Sequence, residues 1–228
     1  PAPGSAAVTD TRYALFCDFD GTLARRDVGY HLYHKFTNGQ CDELIPDWKS
    51  GRLSTRECLV KESAMFRGEP DEVFAFLDQF EMNPGFAEFA QRAERQNIPL
   101  TVISDGLDLY VHYLLDRLGV AHLPVIINHG RLVDGGLEIE FPYPDPSNSG
   151  GGVCKGDRIA EFRRENGPMT VIFIGDGLSD IGALGEVDLL FAKKDLQRYC
   201  DRKNIPYTAF DTFHDVTREL VTRSVFSD

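Results

Sequence analysis

The sequence predicts an α/β fold, a Rossmann-like doubly wound parallel sheet with a small helical bundle inserted after the first strand. Three observations predict it. Short apolar runs that read as buried strands alternate with segments of helical spacing. Three of those runs stop abruptly in Asp, Ser or Gly. The stretch 27–80, between the first run and the rest, has almost no β-branched runs and repeats its apolar residues at helical intervals.

Taken in order, residues 1–12 are small, polar and Pro-rich, and read as a flexible leader. They lack the apolar stretch of a signal peptide. Tyr13–Cys17 is the first strand, broken by Asp18-Phe19-Asp20-Gly21-Thr22. In 27–80, Leu32, Phe36, Val73, Phe76, Leu77 and Phe80 supply apolar faces. Breaks fall at Asn38-Gly39, Ser50-Gly51 and Gly68-Glu69-Pro70. Ser54 and Glu57 have the spacing of a capping box. Four short helices are expected here, leaving 13–26 and 81–228 as the α/β core.

Pro84 can open the next helix, to about Gln96. Ile98–Ile103 is the second strand and ends in Ser104-Asp105-Gly106. A helix over Leu107–Leu118 stops at Gly119, and Leu123–Ile127 is the third strand. Arg131–Val133 and Leu137–Phe141 flank Asp134-Gly135-Gly136 as a hairpin. After a loop rich in Pro, Ser and Gly, Lys155 opens a helix to about Asn166. Thr170–Ile174 is the fourth strand, ending in Gly175-Asp176-Gly177-Leu178-Ser179-Asp180. A helix, a fifth strand over Val187–Phe191, and helices over Lys194–Lys203 and Asp211–Val221 complete the chain.

The 228 residues carry a net charge of −12 and a pI near 4.9, with 42% hydrophobic residues. Such a chain fills a core but suits neither nucleic acid nor an anionic membrane as a partner. An anionic substrate must be drawn by local cations. The five cysteines are odd in number and none are in Cys-x-x-Cys spacing, so reduced thiols and a cytoplasmic setting are expected. No run of ~18 apolar residues suggests a membrane span.

Ligands of doubly wound sheets bind beyond the carboxyl ends of the strands. Asp18, Asp20, Ser104, Asp176 and Asp180 all follow strands, and Lys155 precedes one by a single helix. Four carboxylates gathered at one edge repel one another. A hard divalent cation relieves this, and oxygen donors favour magnesium.

Asp18-Phe-Asp-Gly-Thr, Ser104 after an apolar strand, Lys155 and Gly-Asp176-Gly-Leu-Ser-Asp180 resemble, in order, the four motifs of the haloacid dehalogenase superfamily. The helical insert resembles the cap of its phosphoserine phosphatase-like class. Leu190–Cys200 with Ile205-Pro-Tyr and Phe210-Asp-Thr-Phe looks like the methionine-salvage branch, which acts on 2-hydroxy-3-keto-5-methylthiopentenyl-1-phosphate.

The resemblance implies a Mg2+-dependent phosphatase for a small-molecule phosphomonoester, working through an aspartyl-phosphate. Asp18 would be the nucleophile, and Asp20 the general acid and then base. Ser104 would hold a phosphoryl oxygen, with Asp105 and Gly106 beside it, and Lys155 would balance charge. Asp18, the Asp20 carbonyl, Asp176 and Asp180 would serve the metal. Asp27 would bind a substrate amine or cap the first inserted helix. Arg56 is a candidate anion contact, as are Arg25, Arg26 and Lys61. A phosphotransferase or sugar-phosphate mutase, and a non-catalytic regulatory protein on the same fold, are the competing readings. Oligomeric state is not legible.

Overall fold

The computed structural model describes residues 12–147 and 149–227, so all of the expected leader except Arg12 lies outside them. A seven-stranded sheet has the order β4-β3-β2-β1-β5-β6-β7. Its strands are β1 (Tyr13–Cys17), β2 (Leu100–Leu107), β3 (Val125–Val133), β4 (Gly136–Glu140), β5 (Thr170–Gly175), β6 (Leu189–Ala192) and β7 (Thr208–Ala209). All neighbours pair in parallel except β3 with β4.

The apolar run of β1 is central because both of its faces are covered. Leu15 and Cys17 join one buried cluster, Ala14 and Phe16 the other, as alternation along a strand requires. On the first face Phe86 and Phe89 of α5 (Phe86–Arg95) pack with Phe213 of α9 (Phe213–Thr222). Each buried Phe contributes roughly 1.5–3 kcal/mol. On the second face Phe173 and Ile159 pack with Leu196 and Cys200. Ile159 comes from α7 (Lys155–Asn166), and Leu196 and Cys200 from α8 (Lys194–Lys203).

From β1 the chain builds outward through β2 and β3, then returns to place β5, β6 and β7 on the other side. The direction of winding therefore reverses beside β1, and the crevice at its carboxyl end is where a ligand binds in such sheets.

Between β1 and α5 the chain forms α1 (Val28–Phe36), α2 (Ile45–Lys49), α3 (Thr55–Met65) and α4 (Pro70–Leu77), with a 3-10 turn at Gln40–Leu44. The capping box at Ser54 and Glu57 forms as the spacing predicts. Phe36 meets Phe66 at 5.1 Å and Phe76 at 5.8 Å between ring centroids. These rings belong to the same apolar cluster as Leu23 and Val28.

Three boundaries differ from the sequence expectation. β2 runs on through Ser104 to Leu107, because a register shift after Ile103 bulges the strand. β3 merges the expected third strand with the first arm of the hairpin. The turn there has positive φ at Asp134 and Gly135, the pairing that two-residue hairpins favour. The segment after Asp180 is a 3-10 helix, Leu178–Glu186. All five cysteines are free and buried, and no described helix is long and apolar enough to cross a membrane.

Candidate active site

Asp18 follows β1 directly, and its N–H donates to the Ile174 carbonyl of β5 at 2.9 Å. Phe19–Leu23 then turns tightly. Gly21 makes this possible: its φ is +76°, and a Cβ there would lie 2.1 Å from Asp176 Oδ2.

Lys155 enters from the first turn of α7, aimed by the positive φ of Cys154. Its Nζ lies 2.6 Å from Asp18 Oδ1 and 2.6 Å from Asp180 Oδ1, all fully enclosed. Burial opposes the ammonium charge, but Asp18 and Asp180 outweigh it and hold Lys155 well above the usual lysine range. Asp180 Oδ2 accepts the backbone N–H groups of Asp176 and Gly177, each at 2.9 Å. Asp180 therefore spends both oxygens on bracing Lys155 and the loop after β5.

Asp20 occupies a different setting. Its Oδ1 accepts the N–H groups of Val28 (2.7 Å) and Gly29 (3.0 Å) at the start of α1. Its Oδ2 accepts the Tyr110 hydroxyl at 2.7 Å and lies 3.4 Å from Ser104 Oγ. Burial, then the charge of Asp27, pushes its carboxyl up to about 7, the range suited to giving and taking a proton at neutral pH.

One carboxylate oxygen from each of Asp18, Asp176 and Asp180 falls within 4.8 Å of the others. Burial first, and Asp180 second, raises both Asp18 and Asp176 above the ordinary carboxylate range. Lys155 alone does not neutralise this group. The second oxygens of Asp18 and Asp176 have no hydrogen-bond donor among the described residues. These all-oxygen donors fit a hard divalent cation.

A cavity of about 460 Å3 opens onto these groups. Asp18, Asp20 and Asp176 line it together with Tyr30, Trp48 and Glu62 of the helical segment. A larger cleft of about 880 Å3, among Arg95, Ile98 and Phe226, holds none of the acids.

The structure brings Asp18, Asp20, Ser104, Asp176 and Asp180 together with Lys155; Asp105 and Gly106 line the cavity as well, and Arg56 does not. Arg56 is the clearest correction. Its guanidinium donates to the carbonyls of Gly151 (2.9 Å), Tyr143 (2.6 Å) and Gly152 (3.3 Å), and it stacks on Phe141 at 4.9 Å. A planar fork suits several carbonyls converging from one loop, so Arg56 straps α3 to the segment leading into Lys155. Asp105 likewise turns its carboxylate to the Val153 N–H at 2.8 Å. Gly106 gives its N–H to Ser104 Oγ at 3.0 Å. A Cβ at Gly106 would fall 2.1 Å from the Tyr110 hydroxyl, so this residue supplies clearance for the Tyr110–Asp20 bond. Asp27 does cap α1, accepting the Tyr30 N–H at 2.7 Å, and it also lines the cavity.

Sequence reasoning missed Tyr110, Glu62 and Lys194 as site residues. Lys194 Nζ lies 2.8 Å from Asp176 Oδ2 and 2.9 Å from the Gly21 carbonyl. Its signal was available, since Lys193-Lys194 follows β6 at the same sheet edge as the acids.

Comparison with known proteins agrees with this geometry. The family model described as haloacid dehalogenase-like hydrolase matches residues 15–185. A 2-hydroxy-3-keto-5-methylthiopentenyl-1-phosphate phosphatase of Bacillus mycoides is 32% identical over 213 residues, covering 90% of this chain and 94% of its own. A phosphoserine phosphatase solved as a phospho-aspartyl intermediate analogue superposes with a TM-score of 0.71 at 16% identity, covering 92% of this chain and 99% of its own. A cytosolic 5'-nucleotidase IIIB bound to cytidine superposes at 0.66 with 17% identity, covering 92% and 84%.

Proposed function

The chain belongs to the haloacid dehalogenase-like hydrolases, and on that footing we propose that it is a magnesium-dependent phosphatase for a small phosphomonoester. The observation that carries this reading is the enclosed Asp18–Lys155–Asp180 chain beside Asp176. Among the described residues it leaves one Asp18 oxygen free of donors beside the oxygen that Lys155 holds.

Asp18 attacks phosphorus in line through the oxygen that Lys155 does not hold, and the bond to the leaving oxygen breaks. Asp20 gives that oxygen its proton. Asp20 then takes a proton from the water that attacks the aspartyl-phosphate, which releases phosphate and restores Asp18. Lys155 steadies the charge of Asp18 throughout, and Ser104 with nearby N–H groups holds a phosphoryl oxygen. Magnesium held by the side chains of Asp18 and Asp176 and the carbonyl of Asp20 would neutralise the phosphoryl oxygens. Residues 27–80 form the cap that shields this chemistry from bulk water, with 13–26 and 81–228 as the core. The protein works in the cytoplasm.

The related phosphatase of B. mycoides makes a methionine-salvage enol-phosphate one candidate substrate. The phosphoserine phosphatase fold makes a phosphoserine-like metabolite the other. Asp27 remains a substrate contact through its place on the cavity wall.

The test is phosphate release from a panel of these esters and p-nitrophenyl phosphate, with and without chelator. Turnover should require magnesium, fall by at least about 100-fold on chelation, and return when the ion is restored. Full activity in excess chelator, or isomerised product without free phosphate, would contradict the reading.

A further inference from the structure

We infer that His34, Cys41 and Asp42 form a second metal site, on the helical segment, and that it takes a borderline-soft divalent cation such as zinc. This does not rest on the phosphatase reading, and none of the three residues lines the active-site cavity. His34 lies in the last turn of α1, and Asn38 and Gly39 both have positive φ, so the chain reverses after Thr37. The Gly39 N–H returns to the His34 carbonyl at 2.8 Å. The 3-10 turn at Gln40–Leu44 then sets Cys41 and Asp42 against the His34 ring.

The three donor atoms lie within 4.8 Å of one another. His34 Nδ1 is 3.0 Å from Asp42 Oδ1, and Cys41 Sγ is 3.7 Å from the same oxygen. Tetrahedral zinc with ordinary bond lengths separates nitrogen from oxygen by roughly 3.3 Å and sulfur from oxygen by roughly 3.6 Å. The observed spacings are close to these, so an ion fits with little side-chain movement. A His34–Asp42 ion pair alone gives no reason for a buried thiol aimed at the same oxygen.

The donor set selects the metal. Thiolate with imidazole suits zinc, whereas magnesium prefers oxygen alone. Cys41 approaches from the buried side, while His34 and Asp42 are half-exposed, which leaves a solvent-facing position for water as the fourth ligand. Thr37 braces the site from behind. It is buried, and its Oγ1 accepts the Cys41 N–H at 3.2 Å. Burial pushes the Cys41 thiol up, and the Thr37 hydroxyl pulls against it. A bound cation displaces the thiol proton to solvent.

The other mixed cluster, Asp145, Cys154 and Asp157, is already engaged. Asp145 accepts the N–H groups of Ser149 and Gly150 at 2.8 and 2.7 Å, and Asp157 accepts the Ser147 hydroxyl at 2.8 Å. No backbone N–H among the described residues donates to the Asp42 carboxylate. The turn that carries Cys41 and Asp42 runs straight into α2, whose Trp48 and Lys49 line the active-site cavity. A metal here pins α1 to that wall.

The experiment titrates the reduced, metal-stripped full chain with zinc and with cobalt, in excess magnesium to occupy the acids of the active site. Competition with a chromophoric chelator should find zinc held at about 1 μM or tighter, and His34→Gln should weaken that binding by at least about tenfold. Cobalt should give the near-ultraviolet charge-transfer band of a thiolate ligand, which the carboxylates cannot produce. Cys41→Ser should abolish the band, and Cys154→Ser should leave it intact. Absence of the band overturns the inference, as does a band that survives Cys41→Ser or is lost with Cys154→Ser. So does an affinity that His34→Gln leaves unmoved. Where Cys41→Ser fails to fold, the wild-type band and its weakening in the half-exposed His34→Gln variant decide.

Discussion

Replacing Asp18 with Asn is expected to reduce turnover by about 10^4-fold or more while leaving the fold intact. Asn keeps the shape and one acceptor for Lys155 Nζ, now at 2.6 Å from Asp18 Oδ1, but it removes the charged nucleophile. Stability should hold or rise in the metal-free protein. The reason is electrostatic: Asp18 sits buried against Asp180, and both effects lift its pKa, so its charge is under-compensated where it stands. Phosphate release with magnesium, beside a thermal melt of the same sample, checks both halves. Near-wild-type turnover by verified Asp18→Asn protein would remove Asp18 from the nucleophile's role.

Lys155→Met has the second large expected effect, and it acts on stability as well as rate. Methionine nearly conserves the volume of lysine, so little cavity forms. It strands Asp18 and Asp180 in an enclosed site without their shared cation. Removing one partner of a buried pair costs about 3–5 kcal/mol. Denaturant unfolding of metal-free protein at pH 7 to 8 should show that loss, and the rate should fall at least about 100-fold. The sign with pH follows from linkage. The folded pKa of Lys155 is raised, so its contribution is complete below the unfolded value of about 10.4 and is lost only as pH climbs past that toward the folded one. An unfolding midpoint equal to wild type at pH 7 would show that Lys155 does not balance these acids.

Much of this site was legible in sequence because its acids sit where local signals are strongest. Tyr13–Cys17 is an unbroken apolar run, and an Asp-x-Asp-Gly directly after it falls at a strand end under any reading of the sheet. Asp176 and Asp180 repeat the arrangement after β5. The β7 strand was not legible, since Pro206 and Tyr207 precede only two paired residues. Arg56 was misjudged for a physical reason. A guanidinium takes whichever acceptors converge on it, and the carbonyls that claim it lie about ninety residues away, at 143, 151 and 152. Glu62 posed the opposite problem. It lies about forty residues from the nearest motif on either side and reads as one more solvated helix charge, until the fold buries it beside Asp27. Tyr110 likewise becomes a site residue only because Gly106 leaves room for its hydroxyl to reach Asp20.

The central claim is a covalent phosphoryl intermediate on Asp18, and rapid acid quench of the enzyme turning over a good substrate with magnesium tests it most directly. Peptide mass spectrometry of the quenched protein should find one phosphorylated site, on the peptide carrying Asp18. Hydroxylamine, which cleaves acyl phosphates, should remove it, and the Asp18→Asn protein should lack it. A phosphoryl group on any other residue, or none at all from enzyme caught in active turnover, would contradict the account.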